Sequence, residues 1–169
     1  MQQENFSEQS GFSLVEILAV IAIVAVLASL AVVALLPVTR KARDTKRKAD
    51  LAQAGKFLQA GSCFMPNAGA GEYDLKVLLD EFKIKYPQYA SFISRAPKDP
   101  KTGSDAAANY RYIISDDGRK CALYANLEND GEPVTLTGLS QPTAGSGSGV
   151  LQGASAGWNG TDKYFQVSN

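Results

Sequence analysis

The chain has 169 residues, and its 17 Lys and Arg are balanced by 17 Asp and Glu, so net charge selects neither nucleic acid nor an acidic partner. It has no histidine, which removes the usual general base and the commonest transition-metal ligand. Its 2 cysteines form no CxxC pair, and no phosphate loop or nucleophile–base spacing is present, so the composition points away from an enzyme.

The opening "MQQENFSEQS" contains Glu4 and Glu8 and no Lys or Arg. From Gly11 follows "GFSLVEILAVIAIVAVLASLAVVALL", in which Ile17 to Leu36 is apolar except for Ser29. About 20 such residues at about 1.5 Å each span roughly 30 Å, the thickness of a hydrocarbon core. A soluble core helix would show a polar face, and this run shows none, so it reads as a membrane segment. Glu16 near its start is costly there without a partner.

Three readings compete. A secretory signal would want a basic n-region, which this opening lacks. A plain single-pass anchor leaves Glu16 unexplained, unless the acid simply snorkels to headgroup level. A processing junction at Gly11–Phe12 would create an amine at Phe12, four residues before Glu16 and so on the same helix face. That amine could neutralise Glu16 within one chain or between neighbours, in which case Glu16 gauges axial stagger during assembly.

The polar leader, "GFSLVE" and the apolar run to Leu36 resemble the class III signal of type IV pilins and type II secretion pseudopilins. The resemblance implies cleavage after Gly11 by a prepilin peptidase, methylation of Phe12, and an inner-membrane assembly platform with an ATPase motor as partner. It also implies a homo-oligomeric helical filament, with the subunit single-pass in the cytoplasmic membrane before assembly and at the cell surface afterwards. Two features depart from the family pattern. The leader is acidic, with the basic block "RKARDTKRK" (40–48) following the apolar run, so the positive-inside rule alone would place the C-terminal domain in the cytoplasm. The run also lacks an internal glycine or proline, and the first proline, Pro37, is expected to kink or open the helix.

Beyond Pro37 the spacing predicts an amphipathic helix to about Leu58, lying under a globular domain. Val38, Ala42, Thr45, Ala49 and Ala52 form a small-residue stripe, with Leu51, Ala54 and Leu58 in an adjacent one. Arg40, Arg43, Lys46 and Arg47 fall on the opposite face. They read as a solvated face near membrane lipid; nucleic acid is the weaker alternative, because nothing interleaves aromatics with these bases.

"GSCFMPNAGAGE" (61–72) predicts a loop, "EYDLKVLLDEF" a short helix on Leu75, Leu78, Leu79 and Phe82, and "APKDPKTGSD" (96–105) a turn-rich stretch. "NYRYIIS" and "KCALYANLE" alternate as strands around a "DDG" turn at 116–118. Tyr110, Tyr112 and Ile114 share one face, as do Cys121, Leu123, Ala125 and Leu127. In an exported domain Cys63 and Cys121 are expected to form a disulfide clamping sheet to helix; in a reducing compartment they would stay as thiols.

In "LENDGEPV" a plain acidic turn competes with an oxygen site for Ca2+ made by Glu128, Asp130 and Glu132, the one cofactor considered. The glycine- and serine-rich "SQPTAGSGSGVLQGASAG" (140–157) predicts a surface loop, "NGT" (159–161) matches a glycosylation sequon, and "KYFQVS" suggests a last strand.

The expected architecture is α+β: a long N-terminal α-helix, membrane-spanning in its first half, packed on a small antiparallel β-sheet head as in the pilin fold. The expected divisions are a leader at 1–11, a transmembrane and assembly helix at 12–36, its amphipathic continuation at 37–60, a head at 61–139 and the loop with a last strand at 140–169. The expected function is a structural filament subunit; a secretion pseudopilin and a non-polymeric anchored binding domain are the alternatives.

Overall fold

The computed structural model describes residues 12–59, 62–93 and 96–169, so the expected leader and Gly11 lie outside the described residues. The chain divides into two compact units, Met1–Val38 and Thr39–Asn169.

Helix α1 is Leu14–Leu58. In the first unit its large apolar side chains, among them Ile17, Leu18, Val24, Leu27 and Leu30, are half or more exposed. The hydroxyl of Ser29 donates to the Val26 carbonyl at 2.7 Å, so the polar residue of the run is satisfied by its own helix. Helix α1 continues through Pro37, so the proline does not open it. Proline removes one N–H from the ladder, while the bonds before and after it still hold the helix.

In the second unit α1 from Thr39 onward packs on a five-stranded antiparallel sheet, which gives the α+β fold read from the sequence. The strands are β1 (Gly71–Asp74), β2 (Arg111–Ile114), β3 (Cys121–Asn126), β4 (Gly149–Gln152) and β5 (Lys163–Ser168), in the order β1-β2-β3-β5-β4. Leu51, Ala54 and Leu58 of α1 meet Tyr112, Ile114, Cys121 and Leu123 in one core. Gly55 lets the helix approach β5, where an added β-carbon would lie 3.1 Å from Val167 Cγ1. Burying a leucine fully contributes about 1.5–3 kcal/mol.

Helix α2 (Leu75–Lys85) covers the same core with Leu75, Leu78, Leu79 and Phe82, the four positions its spacing identified. It starts later than the alternation suggested, because Gly71–Asp74 pairs with β2 as a strand. Asp74 ends that strand and caps the helix, accepting from Lys76 N at 2.9 Å. A single 3-10 turn (Pro87–Tyr89) and helix α3 (Ala90–Ile93) follow.

The β2–β3 hairpin closes at the expected turn, with Gly118 at φ 66° and Ser115 Oγ accepting from Lys120 N at 3.0 Å. Cys63 and Cys121 are joined as a disulfide, linking the chain just after α1 to the first residue of β3.

Two expectations about the C-terminal region are corrected. The stretch 140–157 is not simply a surface loop, since it contains β4, whose Val150 and Leu151 are buried. Its glycines allow close packing: a β-carbon at Gly157 would lie 2.5 Å from Asn126 Cγ and 2.6 Å from the Tyr164 hydroxyl. All six residues of β3 are buried, because Trp158 and Tyr164 cover Tyr124 on the face away from the core. The "NGT" sequon is also structural: Asn159 is 6 % exposed and its amide donates to Asp99, which leaves it inaccessible to a transferase.

Candidate functional site

The N-terminal unit presents Phe12 and Ser13 ahead of the first helical residue, Leu14, and Phe12 is 85 % exposed. Ser13 precedes the helix and Glu16 lies three residues on, the spacing of a capping box. Glu16 Oε2 accepts from the Ser13 backbone N–H at 2.9 Å, satisfying one of the donors that every helix start leaves open. In the uncut chain, where Phe12 N belongs to a peptide bond, Glu16 therefore has a partner within its own helix. The anionic end also complements the positive pole of the helix dipole.

In the head, one member of the face that the sequence assigned to solvent, Arg47, is turned inward. The small-residue stripe Val38, Ala42, Thr45, Ala49 and Ala52 is exposed, whereas Asp44 and Arg47 are buried alongside Leu51, Ala54 and Leu58. Arg47 is 0 % exposed. Its Nε and Nη2 donate to the two carboxylate oxygens of Asp99 at 2.7 and 2.9 Å. Nη1 donates to Asp44 Oδ1 at 2.7 Å, and Nη2 lies 2.7 Å from Glu128 Oε1. Arg43 grips Glu128 from the other side, with Nε and Nη2 each 2.7 Å from a different carboxylate oxygen.

Two of the three acids are held by backbone as well. Asp44 accepts from the amides of Glu128 and Asn129, and Asp99 Oδ1 from those of Lys101 and Thr102. Asn159 Nδ2 completes Asp99 at 2.9 Å. The cluster thus ties α1 to the 96–105 turn, the chain after β3 and the turn before β5.

The electrostatics follow from this geometry. Burial by itself would lower the Arg47 pKa, but its hydrogen bonds to Asp99, Glu128 and Asp44 outweigh that and raise it. Burial pushes the Glu128 carboxyl up, yet the bonds from Arg43 and Arg47 prevail and hold it at about 2. Asp99 is likewise displaced below the ordinary carboxylate range, by the guanidinium and two backbone amides acting against desolvation.

This arrangement bears on two sequence readings. The basic face is largely internally paired: besides Arg43 and Arg47, Lys46 bridges Asp50 and Lys48 pairs with Glu132. Arg40 stays exposed. The Ca2+ set does not converge either. Glu128 is held by two arginines, Glu132 by Lys48 and Asn129, and Asp130 is exposed. Among the described residues no group of three or more metal-type side chains comes together. The buried charge centre went unread because its acids are scattered along the sequence. The signal that was available is Asp44 and Arg47 at the i and i+3 positions that lead into Leu51.

Comparison with known proteins bears on the N-terminal segment. Residues 7–32 match the family model described as the prokaryotic N-terminal methylation motif. No curated protein and no solved structure gives a significant match. α1 is long and apolar enough to cross a membrane, with no part of its apolar window buried, which is consistent with membrane anchoring. At residues 7–32 the chain carries the N-terminal methylation motif, consistent with the type IV pilin and pseudopilin family.

Proposed function

We propose that this chain is the precursor of a structural subunit of a type IV pilus-like filament. A prepilin peptidase cuts after Gly11, Phe12 becomes the methylated terminus, and the subunit waits in the cytoplasmic membrane. It then polymerises through residues 12–36 into a helical filament, extracted from lipid by an ATPase-driven platform. The observation that carries this reading is the motif match at residues 7–32, whose part from Leu14 onward lies on a helix with exposed apolar side chains. An exposed apolar stem is stable in lipid or in a bundle of its own kind, and in neither case does water solvate it.

Glu16 supports the same reading. Before cleavage its carboxylate is satisfied by Ser13 N–H. After cleavage, the new ammonium of its own or a neighbouring chain becomes a stronger, charge-assisted partner. Subunits docked one register out would leave Glu16 with the Ser13 N–H but no counter-charge in an apolar bundle, at a cost of up to about 2.5 kcal/mol.

Mass spectrometry of the native protein tests the first step, with an N-terminus at methylated Phe12 expected. An intact Met1 end would leave only the anchored binding domain. Electron microscopy of sheared surface fibres tests the second: Glu16→Ala is expected to be cleaved normally while fibre yield falls about tenfold or more. Fibres found only with an overproduced secretion apparatus would identify the pseudopilin form of the same mechanism.

A further inference from the structure

The buried charge cluster gathers three carboxylates around a cation that belongs to the chain itself. Three carboxylates from separate segments, Asp44, Asp99 and Glu128, point at one position, and the Arg47 guanidinium fills it. Four contacts of 2.7–2.9 Å radiate from its nitrogens, two to Asp99 and one each to Asp44 and Glu128. A guanidinium has five N–H donors in a planar fork, so this cage uses most of them, and its directions suit that fork rather than a spherical ion.

All six carboxylate oxygens are engaged by cations or backbone amides, including Glu128 Oε2 by Arg43 at 2.7 Å with Lys101 Nζ at 3.6 Å. Two guanidiniums and one ammonium therefore face three carboxylates, and the cluster is electrically closed. A polar cleft of about 610 Å³, lined in part by Lys101, Glu128 and Asn159, gives solvent a route to its edge.

We propose that this cluster is a cation-binding site whose bound cation is the protein's own Arg47. The side chain cross-links α1, the 96–105 turn and the chain after β3 as a structural metal would. The site is specific for a planar guanidinium, and removing the side chain leaves a cavity that takes up guanidinium from solution.

The test uses the full chain in detergent and follows the thermal midpoint. For the native chain the midpoint is expected to be the same in EDTA and in calcium chloride. Arg47→Ala is expected to lower it by more than about 10 °C, because three buried acids lose their common partner. Millimolar guanidinium chloride, far below denaturing concentration, then recovers part of that loss, whereas equal sodium chloride or calcium chloride does not. A native midpoint that falls in EDTA would overturn the proposal. So would an Arg47→Ala midpoint within about 2 °C of the native one, a folded variant that guanidinium fails to rescue, or rescue by calcium instead. If Arg47→Ala does not fold, Arg47→Lys decides: a compact ammonium cannot serve the fork, so a lowered midpoint supports the proposal and an unchanged one refutes it.

Discussion

The two stretches of α1 on either side of Pro37 use opposite rules. Residues before it expose leucine, valine and isoleucine and hold a single acid at the start. Residues after it bury an arginine and an aspartate and expose alanines. Hydropathy predicts the first stretch because lipid is an undifferentiated solvent, so what each residue needs depends on its own polarity alone. In the second, a charge can be interior if partners arrive from elsewhere in the chain: Asp99 is 52 residues from Arg47, and Asn129 is 85 residues from Asp44. Side-chain polarity therefore identifies a helix face reliably only where no neighbour can answer it.

The sharpest way to break that contrast is to remove a distant partner. Asp99→Ala takes two bonds from Arg47 and leaves a buried guanidinium under-compensated. The expected loss is about 3–5 kcal/mol, much of the stability of a small domain. Denaturant unfolding of the full chain in detergent would read it. A loss below about 1 kcal/mol would mean that Arg47 escapes to solvent, and that the second stretch follows the same rule as the first.

Acid should act on the head in the same sense. Glu128 sits at about 2 in the fold, and Asp99 also lies below its ordinary value. A carboxyl depressed on folding stabilises fully above its unfolded value, about 4, and that contribution is lost as pH falls through the folded value. The thermal midpoint should hold steady from pH 7 to about 5, then drop between about 4.5 and 2. Arg47 stays charged throughout, since its pKa is raised. Glu128→Gln should give a lower and flatter profile. A native midpoint already falling near pH 6 would assign the acid sensitivity to other groups.

How much of this was legible depends on the range of each interaction. The apolar run, α2 and the β2–β3 hairpin came from local periodicity and turn chemistry; the run and the hairpin are where their residues placed them, and α2 begins three residues later. β5 was visible as "KYFQVS", but its place between β3 and β4 was not, since strand order is fixed by long-range pairing. β4 was missed because its glycine- and serine-rich flanks look like a chain that cannot bury itself. In the fold those small residues let the segment lie against Tyr164 and Asn126, so shortness serves contact. At the candidate site, Phe12 and Glu16 were read from a contiguous motif. The Arg47 centre was not, because an arginine among "RKARDTKRK" gives no local sign that three acids will reach it.

The smallest expected effect completes the comparison from the other side. Ala49 and Ala52 belong to the small-residue stripe and both are exposed, while Leu51 between them is 0 % exposed. Ala49→Gln replaces one good helix former with another at a solvent-facing position, so it should shift stability by no more than about 0.5 kcal/mol. Leu51→Ala, two residues away, should cost about 2–5 kcal/mol, since it opens a cavity beneath the sheet. Both are measured on the full chain in detergent, where only intramolecular packing contributes. Equal losses would put the alanine stripe in the core and return Arg47 to the surface. A several-fold difference requires that the helix turn inward the face that carries Leu51 and Arg47.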